Sequence, residues 1–99
     1  MLENFTRDTF LRHLDSKFRV GSGAPGAVEL QLIEAEDHTR SPKNERFSLL
    51  FRGPKDSPLA QGMHRFEHDE IGSFDLFIVP VSQDQEGTQY EAIFNRLRR

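Results

Sequence analysis

Two histidines stand four residues apart in residues 61–72, QGMHRFEHDEIG, where His64 and His68 share a short run with Arg65, Glu67, Asp69 and Glu70. Imidazoles and carboxylates at this density are the raw material of a metal site or an acid–base pair. Spacing decides between those uses only together with the backbone. On a helix, positions i and i+4 share a face, and two histidines there can hold one zinc ion. On a strand the same four steps span ~13 Å, whereas a zinc–nitrogen bond is only about 2.0–2.1 Å. Gly62 and Gly72 bracket the run and its apolar spacing is not helical, so a strand over residues 62–68 is expected. Alternation then puts His64, Phe66 and His68 on one face, with Phe66 between the imidazoles, and Met63, Arg65 and Glu67 on the other. His38, considered as a further ligand, is selected by no feature of the sequence. Both histidines of the run are expected to be structural, and no metal or cofactor is assigned.

Other constellations fail on similar grounds. GSGAPG (residues 21–26) is glycine-rich, but no Lys-Ser or Lys-Thr follows it and a strand comes next, unlike a phosphate loop. Asp69 with Glu70, and Glu34 with Glu36 and Asp37, are carboxylate groups in charge-rich segments, with no sign of the cleft that would raise one pKa. There is no G-x-S-x-G elbow. The chain has no cysteine, which removes disulfides, thiol catalysis and cysteine-type zinc sites. A noncatalytic protein is the expectation, with a metal-dependent enzyme ranked third among the readings.

Ninety-nine residues make one domain, able to bury about two thirds of the surface of its unfolded chain. Nine phenylalanines supply much of the core volume. A net charge of −3 offers no general attraction to nucleic acid or an anionic membrane. Arg96, Arg98 and Arg99 form the one basic cluster, read as a solvated tail. The opening MLENFTRDTFLRHL has no basic segment followed by an apolar run, and no stretch approaches a membrane span. A cytoplasmic protein, or one assembled into a particle, is expected.

The elements that must position these side chains are short. A helix over residues 6–15 is expected, with Thr6 as N-cap, Asp8 in its first turn and a staple between Phe5 and Phe10. Phe10, Leu11 and Leu14 would form its buried face, docked on the end or face of a sheet. Beyond Asp15 the period changes to two. Strands are expected at 17–20, 27–36, 46–52, 62–68, 73–81 and 88–96, with a β-bulge near Leu32–Ile33, where the apolar phase slips by one. Residues 37–45, 54–62 and 82–87 read as connections, and Pro80 as the end of the fifth strand. The fold class is mainly β: a small antiparallel meander barrel or sandwich of five to six strands with one short N-terminal helix.

Five spaced motifs run along the chain: F-x-L-x-F-R-G-P (47–54), P-L-x-Q-G (58–62), E-H-x-x-x-G (67–72), F-x-L-F-I-V-P-V (74–81) and Y-E-A-x-F-N (90–95). In these the chain resembles a family of short bacterial proteins defined by a domain of unknown function. The resemblance implies no catalytic residues. It implies a link, through gene context, with phage-tail-like or other multi-protein particles. Within the motifs, Gly72 is expected to supply a turn at positive φ, and Glu67 and His68 to clamp the PLAQG loop or to meet a partner.

The leading reading is therefore an interaction or assembly module. Leu50, Phe77, Val79 and Ile93 lie on the strand phase opposite the core, and with Pro58, Leu59 and His68 they are the candidate partner-binding residues. The partner is a protein, with a homodimer among the options. A small-ligand module is the runner-up, its barrel mouth lined by phenylalanines and gated by the 54–62 loop.

Overall fold

Period-two patterning becomes six strands: β1 (Lys17–Val20), β2 (Val28–Asp37), β3 (Asn44–Gly53), β4 (Gly62–His68), β5 (Gly72–Asp84) and β6 (Gly87–Leu97). The computed structural model describes residues 5–21, 28–56 and 58–97, the side chains of Arg96 and Leu97 excepted. The expected turn at 21–26 lies outside the described residues but for Gly21, and Arg98 and Arg99 lie outside them altogether. β4 has the bounds its alternation predicts. β5 runs further than expected, because the turn at 82–87 tightens to Gln85 and Glu86 between the pair Asp84 and Gly87.

All the pairings are antiparallel, and the strands close into a barrel in the order β1-β2-β3-β6-β5-β4. The meander runs in two halves, β1-β2-β3 and β4-β5-β6, sealed by the β3–β6 and β1–β4 pairs. The middle strand of each half bends at a bulge, where it changes neighbours. In β2 the register steps from Leu32 opposite Phe51 to Glu34 opposite Leu50, leaving Ile33 as the extra residue the phase slip indicates. In β5 the step falls between Pro80 and Ser82, so Pro80 sits inside the strand instead of ending it. β4 pairs with β5 only as far as Ile78. Beyond it, the proline and bulge blunt an edge that would otherwise invite pairing with another chain.

Inward side chains fill the barrel. Phe18, Phe51 and Phe66 are fully buried, and Phe66 stacks on Phe74 with ring centroids 5.7 Å apart. One end is plugged by helix α1 (Arg7–Leu11), whose Phe10 meets Phe47, Phe74 and Phe94. Thr6 caps the helix in a reciprocal box with Thr9, and Phe5 packs edge-on against Phe10 at 5.7 Å, completing the staple. The helix is shorter than expected, and Leu11 and Leu14 are exposed instead of buried. Asp15 adopts a left-handed φ of 69°, and the Asp15 N–H donates to the Leu32 carbonyl. The sheet thus claims the backbone before a second buried turn can form. At the other end Leu59 packs onto the core, and its N–H donates to the Tyr90 hydroxyl at 2.7 Å.

Candidate functional site

The histidine-rich segment builds a junction between the helix plug and the end of β4. His68 closes β4 on its inward phase and is buried. Its Nδ1 accepts from the backbone N–H of Glu70 at 3.1 Å and of Ile71 at 3.4 Å. The ring proton therefore sits on Nε2, which donates to Ser16 Oγ at 3.0 Å. Ser16 in turn donates to the His13 carbonyl. The His13 ring packs on His68 with centroids 4.7 Å apart, and its Nδ1 lies 3.7 Å from Glu70. Burial pushes the His68 pKa down, His13 adds to that effect, and Glu70 and Asp69 oppose it.

A serine beside a histidine invites comparison with an activated nucleophile, but the hydrogen bonds run the wrong way. His68 gives its proton to the hydroxyl, and the hydroxyl proton is committed to a carbonyl, so the imidazole is not placed to take it. Among the described residues, no three His, Asp or Glu side chains converge on a metal position.

The expected clamp on the PLAQG loop exists, but a different residue makes it. His64 Nε2 meets the Ala60 carbonyl at 2.7 Å, while Glu67 accepts from Ser73 and His68 serves the junction just described. His64 can reach back because Gly62 starts β4 directly after the loop. The proximity in sequence was a usable signal for this contact, whereas the His68–Ser16 contact spans 52 positions and has no local signature.

The second place of interest is the outer surface. β5 is apolar on both phases, and the helix, sitting at the barrel end, does not cover its outer phase. Phe77 is 48% exposed and Ile93 64%, with Met63 and Val81 also exposed. Leu50 and Val79 lie half-buried on the same outer phase. Cross-strand register places Leu50 opposite Glu91 and Glu91 opposite Val79, while Phe77 is paired with Met63. Four of the candidate partner-binding residues thus share one outer face. The other three do not: Pro58 and Leu59 cap a barrel end, with Leu59 packed onto the core, and His68 is internal.

Sequence reasoning did not single out the groove beside this face. Arg40 and Arg46 line it with Ile93 and Asn95, in a volume of about 400 Å³. Arg40 lies in a polar connection and Arg46 at a strand start, and only the β3–β6 pairing brings them beside Ile93.

No helix among the described residues is long and apolar enough to cross a membrane. No curated protein and no solved structure matches the chain significantly. Residues 5–94, from the Phe5 staple to the Phe94 ring that closes on Phe10, match the model of a family to which the chain therefore belongs: the domain of unknown function DUF6916.

Proposed function

We propose that this domain is a noncatalytic protein-interaction or assembly module that receives a partner protein on the outer face of β3, β6 and β5. One observation carries the reading: Phe77, Ile93 and Met63 are large apolar side chains left in solvent on a barrel whose interior is already filled. Scattered exposed hydrophobics are ordinary, but several on neighbouring strands make a patch of the kind interfaces use. The packed interior favours the outer face over a ligand in the barrel mouth, since Phe18, Phe51 and Phe66 occupy that space. Multi-protein particles of the phage-tail-like kind are the first setting to test, on the strength of the family resemblance.

A photo-crosslinking residue placed at Phe77 or Ile93, with a control at exposed Asp56, tests the reading in native lysate. Adducts of defined mass at the first two positions and none at Asp56 are expected. No adduct at either position, or equal labelling at all three, would overturn it.

A further inference from the structure

The outer face carries opposite charges on the two sides of the row that holds Ile93, and we propose that its occupant is a second copy of this chain, in a two-fold dimer. This rests on the reading of the face as a protein-binding surface. Ladder register sets three successive outward rows. The first holds Arg46 beside Asn95; the second Glu36, Ser48 and Ile93; the third Glu34, Leu50, Glu91 and Val79. Successive rows on one face lie about 7 Å apart, two residues of strand rise.

Glu34 and Glu91 flank Leu50, and neither makes an ion pair among the described residues. Arg40 and Arg46, on the other side of Ile93, likewise pair with no acid among the described residues. Neighbouring surface charges do pair, with Arg65 on Asp75 at 2.8 Å and Arg52 near Glu86 at 3.5 Å. On this face, then, charges of opposite sign without an ion pair among the described residues stand on the two sides of Ile93.

A two-fold axis lying in the interface, along the Ser48–Ile93 row, reverses the strand direction of the second copy and keeps each position along the row. Ile93 of one copy then meets Ile93 of the other. Arg46 arrives over Leu50, between Glu34 and Glu91 of the other copy, and Asn95 arrives over Glu91. Both contacts occur twice, as an isologous interface requires. Glu36 faces its own copy only at the solvated rim, where screening is strong and His38 lies 3.9 Å away. A uniformly acidic or basic partner would meet its own sign on one of the two charged rows, which is the pattern that excludes it. A barrel wall is convex, so the contact is small, and a dissociation constant in the ~micromolar range is expected.

Charge reversal with complementation tests the proposal. Light scattering after size exclusion, at ~0.1–1 mM protein so as to exceed that constant, should give a dimer mass for the unmodified chain. Arg46→Glu and Glu91→Arg should each be monomeric, with dissociation constants raised at least ~10-fold, as loss of a desolvated charge pair implies. An equimolar mixture of the two variants should regain the dimer, because the side chain at position 46 of either copy then meets one of opposite sign at position 91 of the other. Circular dichroism checks that each variant is folded, and both positions are surface ones. A strictly monomeric unmodified chain, variants that dimerise as it does, or a mixture that stays monomeric would each overturn the proposal. Adducts from Phe77 or Ile93 to a different protein would then leave the interaction reading standing, whereas their absence would remove both.

Discussion

His68 shows how one side chain can be fully occupied by structure. It receives two backbone N–H groups, donates to Ser16 and packs against the rings of His13 and Phe18, so it binds the segment after the helix, β1 and the β4–β5 turn at one point. Burial favours its neutral form, and protonation at Nδ1 would also evict the Glu70 and Ile71 donors. Above the ordinary histidine value of ~6.5 both the folded and the unfolded chain hold this ring neutral, and its contribution is complete. As the pH falls below that value the unfolded chain takes up a proton that the folded chain resists, so stability declines. Urea midpoints measured from pH 7.5 to 5 should fall more steeply for the unmodified chain than for His68→Asn. At pH 7.5 that variant should be less stable by about 1–3 kcal/mol, the cost of buried groups left without partners. Equal slopes for the two proteins would show that His68 is not the group responsible.

At the scale of elements, the turns and bulges hold the barrel's shape. The β5–β6 hairpin closes with Gly87 at a φ of +140°, and a Cβ there would collide with the Gly53 carbonyl oxygen of β3. Gly72, which opens β5 at a φ of +98° as the turn chemistry implies, has open space around it. Both substitutions to alanine incur backbone strain, but only Gly87→Ala must also push two strands apart. Thermal or urea unfolding should give a loss of roughly 1 kcal/mol for Gly72→Ala and about 3 kcal/mol for Gly87→Ala. The order matters more than the values. Elements were legible where their signals are local. Thr6, Phe5 and Phe10 specify the helix start within a few residues, and Leu32 followed by Ile33 betrays a bulge by its phase. The helix end was not legible, because Asp15 and Ser16 are drawn off by hydrogen bonds to Leu32, 16 to 17 positions away in the chain.

On the scale of the whole molecule, closure removes most sheet edges and leaves the outer wall as the surface with unused interactions. If Phe77 and Ile93 serve a partner and not the fold, replacing them should barely disturb the isolated domain. Phe77→Ser and Ile93→Ser should stay within about 0.5 kcal/mol of the unmodified chain in urea unfolding, as surface changes do. Losses of about 2 kcal/mol or more, typical of a core vacancy, would instead assign them to the fold. The outward phase of Leu50, Phe77, Val79 and Ile93 could be read from alternation alone. Whether anything covered that phase could not, since it depended on where the helix docked.

The amino-acid sequence by itself determined that this chain is a β-rich domain with strands near their observed places, a capped and stapled first helix turn, and histidines too far apart on a strand to share an ion. Those features follow from periods of two and from contacts a few residues long. Only the tertiary structure decided that β3 closes on β6 and β1 on β4, that His64 and not His68 holds the loop, and that Arg46, Ile93 and Glu91 stand in successive rows of one face. Such placements depend on pairings between distant segments, which many sequences with the same local pattern would satisfy differently, and the burial of a shared core selects among them.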